Sequence, residues 1–240
     1  MKEYELIELL DVSYDMCALP NGNFIFANYL SKNLCIYDAN YLYIKYIDKI
    51  SNQVIKPFNV VTNNKNRIYI NNDNRDIIMT DLDFNYLDRT KQLKNLSQLI
   101  FHEELLYVCE RSNNSIAKLN QDLELKARMY IDCVPEKLEI LSNLACILTN
   151  DSVLFYDTVQ LCIKYTYNKC SSVIVYENNF FSLDEDRQNI HCYNHDGVLI
   201  DSMRLNFRND LPRCFNSSVF IRKNINNILI HHFDNKLVIF

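Results

Sequence analysis

Apolar residues recur along the chain in runs of about four to seven, rich in Ile, Val, Leu, Tyr and Phe, and clusters of Asn, Asp and Ser separate the runs. Phe24-Ile25-Phe26-Ala27, Arg67-Ile68-Tyr69-Ile70, Leu105-Leu106-Tyr107-Val108-Cys109 and Ile228-Leu229-Ile230 are examples. No long segment keeps a 3.6-residue period, so the pattern predicts strands throughout and an all-β chain.

The runs repeat. Pro57, Pro135 and Pro212 each precede a comparable run, at separations of 78 and 77 residues. A second marker, a strand ending in Asp or Asn before a short turn, falls at Asp38, Asp81, Asn120, Asp157 and Asn194, in steps of 43, 39, 37 and 37. Both markers give a unit near 39 residues, and six such units fill 240 residues. A four-stranded propeller blade has this size. The expected units are 11–48, 57–90, 97–132, 135–167, 172–205 and 213–240, the last joined by 1–10, in one domain covering 1–240.

Unit one predicts strands a near Asp15–Ala18, b at Asn23–Asn28, c at Asn33–Asp38 and d at Tyr43–Asp48. Unit six predicts only three: Val219–Arg222, Asn227–His232 and Lys236–Phe240. Its outer strand is expected from Tyr4–Leu10, which precedes the first complete unit; pairing it beside the last strand would remove two exposed sheet edges. The fold expected is therefore an all-β, six-bladed β-propeller of four-stranded antiparallel blades closed by its N-terminal strand.

The only two glycines, Gly22 and Gly197, follow Asn21 and Asp196 at positions expected to be hairpin turns needing positive φ. Elsewhere, as in Asn63-Asn64-Lys65-Asn66 and Asn178-Asn179, Asn is expected to take the left-handed position.

The phrase Cys17-Ala18-Leu19-Pro20-Asn21-Gly22-Asn23-Phe24-Ile25-Phe26-Ala27-Asn28, continued by Ser31-Lys32-Asn33-Leu34-Cys35-Ile36-Tyr37-Asp38, resembles the NHL repeat. That repeat has a Gly-Asn turn, an apolar strand ending in Ala-Asp, and Asn-Arg-Ile before the third strand. Asn74-Arg75-Asp76-Ile77-Ile78 and Asn235-Lys236-Leu237-Val238-Ile239 echo it, whereas Asn150-Asp151-Ser152-Val153 lacks the basic residue. Kelch and WD-type blades fit worse, for want of a Gly-Gly pair and of any Trp. The resemblance implies a module that binds protein or RNA. Six-bladed relatives also include calcium-dependent lactonases, and fold alone does not choose among these.

A net charge of −5 argues against a strongly basic nucleic-acid surface, although a local basic patch survives such averaging. Nine scattered cysteines without C-x-x-C spacing indicate neither a zinc ribbon nor a redox motif, and mostly sit in apolar runs. They suit a reducing, cytoplasmic setting. Met1-Lys2-Glu3-Tyr4-Glu5-Leu6 does not read as a secretory signal, and no run approaches the roughly 18 apolar residues needed to cross a bilayer.

Lys32, Arg75, Arg111, Arg187 and Lys236 recur between strands b and c. In a propeller these turns share one face, so they are the candidate partner-binding residues, for an acidic peptide or a phosphate. Asp73, Asp76, Glu110, Asp184, Asp186 and Asp234 lie in the same loops and could instead neutralise them in salt bridges. Tyr69, Tyr107, Phe155 and Tyr193 fall on strands and are expected to fill the space between blades. His191 and His195 lie on a strand and its following turn, while His231 and His232 point to opposite faces of one strand. Neither pair predicts a metal site. A lactonase-like centre would need converging oxygens, with Asp15, Asn59, Glu136, Glu139 and Asn143 as candidates. No Gly-rich loop or nucleophile elbow is present. The expectation is a non-enzymatic, cytoplasmic module recognising a protein or peptide, with no cofactor, metal or small-molecule substrate; RNA binding is the first alternative and the lactonase the second.

Overall fold

The computed structural model describes residues 5–239 apart from 12, 91, 161, 177, 185–188, 205–219, 224–227 and 233–235, with backbone alone for 5–8 and 220–239. Two compact units emerge: Leu10–Pro135, and Met1–Leu9 together with Glu136–Phe240. Strand β1 (Glu5–Glu8) belongs to the latter.

The Leu10–Pro135 unit holds three antiparallel sheets, each of four consecutive strands. The first is β2 (Asp15–Ala18), β3 (Phe24–Asn28), β4 (Asn33–Tyr37) and β5 (Tyr43–Ile47), within one residue of the strands expected from sequence. A two-stranded ribbon follows, β6 (Lys49–Ile50) and β7 (Gln53–Val54), which the apolar pattern missed because its strands are two residues long. The second sheet is β8 (Pro57–Thr62), β9 (Ile68–Asn72), β10 (Asp76–Thr80) and β11 (Tyr86–Thr90). The third is β12 (Leu96–His102), β13 (Leu105–Glu110), β14 (Ser115–Leu119) and β15 (Leu125–Tyr130).

Period-two alternation explains how these sheets stack. On β9, Ile68 and Ile70 join a core with Ile25, Leu34 and Ile36 of the first sheet, while Tyr69 between them joins Leu99, Leu106 and Val108 of the third. The middle strands are buried on both faces, hence their unbroken apolar runs. Fourth strands are wet: every residue of β5 except Ile47 is exposed. Tyr69 and Tyr107, and in the other unit Phe155 and Tyr193, are buried as expected.

In the other unit, β16 (Pro135–Leu141), β17 (Leu144–Thr149), β18 (Ser152–Asp157) and β19 (Cys162–Asn168) form one sheet. β20 (Cys170–Tyr176), β21 (Asn179–Asp184), β22 (Asn189–Tyr193) and β23 (Leu199–Arg204) form the next. Phe155 packs edge-on against Phe180, with ring centroids 5.2 Å apart, in the core they share. The last sheet takes β24 (Phe220–Lys223), β25 (Ile228–His232) and β26 (Lys236–Ile239) from one end of the chain and β1 from the other. β1 runs antiparallel to β26, with Glu5 opposite Ile239 and Glu8 opposite Lys236.

The Asp/Asn marker has a structural cause. Asp38, Asp81, Asn120 and Asn194 each accept two backbone N–H bonds through Oδ1 from residues two and four ahead, and Asp157 accepts from residues two and three ahead. The side chain thus builds the turn between third and fourth strands. The left-handed position in four of these turns holds Tyr41, Phe84, Leu123 and Gly197, with φ of 60°, 67°, 61° and 83°. Asn fills such positions elsewhere, at Asn52, Asn64, Asn74, Asn95 and Asn114, but in three of these turns a bulky residue does. Packing holds them there: Leu123 is buried in the core and Tyr41 stacks on Phe24 with centroids 4.9 Å apart.

Candidate interaction face

Because strands alternate in direction, the second-to-third turns of the Leu10–Pro135 unit lie at the same end as the links between its sheets. Lys32, Arg75 and Arg111 are at this end, in three successive sheets. Arg187 lies outside the described residues, as does the Lys236 side chain.

The turn Asn72–Asp73–Asn74–Arg75 is the best-defined element of this face. Asp73 and Asn74 have φ of 56° and 55°, the tight hairpin conformation with both central residues left-handed. Its backbone is anchored from both sides: Asp73 N–H donates to Lys56 O at 2.8 Å, and Leu96 N–H donates to Asn74 O at 2.9 Å. Lys56 N–H donates in turn to Asn72 Oδ1 at 2.8 Å.

On this support, Asp73 collects three groups. Tyr29 Oη donates to its Oδ1 at 2.9 Å, Lys56 Nζ lies 3.6 Å away and Arg75 Nε 3.3 Å away. The bond to a carboxylate pushes the Tyr29 phenol above its ordinary pKa. Arg75 is 82% exposed, and its terminal guanidinium nitrogens have no partner among the described residues. Lys32, exposed and with φ of 57°, closes the turn that Tyr29 opens. Arg111 is half-buried in a 3-10 turn, its N–H donating to Asn95 O at 3.0 Å.

Beside Asp73 sit three half-buried rings, Tyr14, Tyr29 and Phe58. Their centroids are 5.5 to 5.8 Å apart and their planes are inclined at 48° to 84°. Tyr14, Tyr29, Phe58 and Lys56 were not singled out in the sequence, where they look like any residue at a strand end.

Neighbouring cations have structural duties. Arg89 lies 3.0 Å from buried Asp76 and donates to Gln53 of the ribbon at 2.9 Å. Arg128 Nε donates to fully buried Glu110 at 2.7 Å. Thus Asp76 and Glu110, expected as possible neutralisers of the turn cations, pair with cations of the fourth strands.

Two of the five residues considered for a metal centre have their oxygens already in use. Asp15 and Asn59 come together on the inner strands, but Asn59 Nδ2 donates to Asp15 Oδ2, which also accepts Val60 N–H at 3.1 Å. Asn59 Oδ1 accepts Leu99 N–H at 2.6 Å, so the pair stitches β2, β8 and β12 together. Glu136, Glu139 and Asn143 belong to the other unit. Among the described residues, no three His, Cys, Asp or Glu side chains form a group able to hold a metal ion. His191 Nδ1 is 2.8 Å from Ser202 Oγ, and His195 faces Asp196. No helix is long and apolar enough to cross a membrane among the described residues.

No known protein family and no curated protein matches the sequence. Among solved structures, BamB from Moraxella catarrhalis superimposes with a TM-score of 0.61 at 10% identity, over 95% of this chain and 83% of that one. The fold is a β-propeller. Its blades are four-stranded and antiparallel. Since 1156 solved chains share this likeness, the propeller by itself selects no function, and any assignment must come from the face just described.

Proposed function

We propose that this propeller is a non-enzymatic interaction module that takes a protein or peptide partner on the Lys32–Arg75–Arg111 end of the Leu10–Pro135 unit. The observation that carries this reading is the anchored 72–75 turn, which presents an exposed guanidinium beside half-buried rings. A rigid support that holds a polar group away from its own structure loses little entropy when a partner binds. Asp15 and Asn59 on the inner strands are spent on each other and on backbone N–H groups, which favours recognition over chemistry.

The same reading takes the chain as one domain of six NHL-like blades. The near-39-residue period and the β1–β26 pairing support it. It assigns the protein to the cytoplasm, in keeping with described cysteines that form no disulfide among themselves. An RNA track is not favoured, because Asp73 sits between Lys56 and Arg75 and interrupts positive charge where a phosphodiester chain would run.

Affinity capture with the native chain and with Lys32→Glu/Arg75→Glu tests the assignment. The variant is expected to keep its melting temperature and lose the partners that the native chain retains. Retention of every partner by the variant would refute this face.

A further inference from the structure

Resting on the reading above, we infer that the Arg75 turn is a receptor for a peptide carboxylate followed directly by an aromatic side chain. The charge balance comes first. Lys56 and Arg75 stand against one carboxylate, Asp73, leaving an excess that suits one acidic group rather than a polyanion. Arg75 Nε lies 3.3 Å from Asp73 and the side chain is 82% exposed, leaving the guanidinium open to a carboxylate, which it can bind by two parallel bonds.

The aromatic half of the motif follows from Tyr29. Its hydroxyl is tied to Asp73, which fixes the Tyr14–Tyr29–Phe58 cluster next to the guanidinium. The three planes are tilted or edge-on, at 58°, 48° and 84°, and no two are parallel. A herringbone of this kind offers little flat surface for stacking nucleobases. It does accept the edge or face of one more ring, continuing the same inclined packing. Asp73 touches both Arg75 and the Tyr29 hydroxyl, so acid and aromatic are expected to be adjacent in the ligand.

The test uses the full chain and acetylated, amidated hexapeptides titrated by NMR to millimolar concentration. Gly-Ser-Asp-Phe-Ser-Gly is the probe, with its Asn-Phe and Asp-Ala counterparts as comparisons. The Asp-Phe peptide is expected to shift backbone resonances of residues 29–32 and 72–75, and each counterpart to bind at least about ten-fold more weakly, the loss of one charge-assisted pair or one buried ring. Arg75→Gln should lose the same factor, while Lys126→Gln, on β15, should lose none. No binding of the Asp-Phe peptide, equal binding of the Asn-Phe peptide, or full binding by Arg75→Gln overturns the inference. If any of these occurs while Lys32→Glu/Arg75→Glu still sheds partners in affinity capture, the carboxylate–aromatic motif falls and the interaction face stands. If the capture also fails, both fall.

Discussion

Gly22 and Gly197 occupy the same backbone region, with φ of 85° and 83°, but their surroundings differ. A Cβ at Gly22 would meet nothing nearer than Ala39 Cβ at 3.9 Å. At Gly197 it would lie 2.8 Å from the Phe155 ring and 3.1 Å from Leu144. Gly22→Ala is therefore expected to destabilise by about 1 kcal/mol, the conformational penalty alone. Gly197→Ala adds overpacking against a buried ring and should cost about 2–4 kcal/mol. Urea denaturation of both variants measures the difference, and equal losses would mean the Phe155 contact is soft. Both turns were legible in the sequence, because Asn-Gly and Asp-Gly name their own conformation. Tyr41, Phe84 and Leu123 were not: nothing local marks a bulky residue for positive φ, since distant packing supplies the compensation.

At the scale of elements, the acidic or amide residue closing the third strand is the recurrent device. Asp157 shows its electrostatic side. N–H bonds from Gln160 and Val159, with Lys164 Nζ at 2.9 Å, hold its carboxyl down to about 2, below the ordinary 3.8. A depressed carboxylate pKa stabilises the fold above the unfolded value, and the contribution disappears as pH falls through the folded one. Asp157→Asn keeps the accepting oxygen, as Asn120 and Asn194 do in sister turns, and removes only the charge. The gap in urea midpoint between native and variant should be full above about pH 5 and close as pH falls below about 2. A gap unchanged across that range would assign the stability to turn geometry instead. The same scale marks the limit of sequence reading. Strands recurring every 39 residues or so are visible in the pattern, whereas the two-residue β6–β7 ribbon has too few side chains to make one. The candidate face was half legible: Lys32, Arg75 and Arg111 stood out by position, but the rings and Lys56 meet them only once three sheets are side by side.

For the molecule as a whole, the joint between β1 and β26 is the longest-range pairing described. Deleting residues 1–10 removes the strand beside β26 and exposes its edge. The melting temperature is expected to fall by roughly 5 °C or more, since about 1 kcal/mol shifts a protein of this size by some 2–4 °C. An unchanged melting curve would show that the last sheet does not depend on β1. This joint also sets a schedule for synthesis. Residues 236–239 leave the ribosome more than 220 positions after residues 5–8, on the order of 10–50 s later at about 5–20 residues per second. Throughout that interval β1 lacks its partner and is free to join the β24–β26 sheet of another copy. Crowded polysomes should therefore yield exchanged dimers, in which each chain lends its β1 to its neighbour.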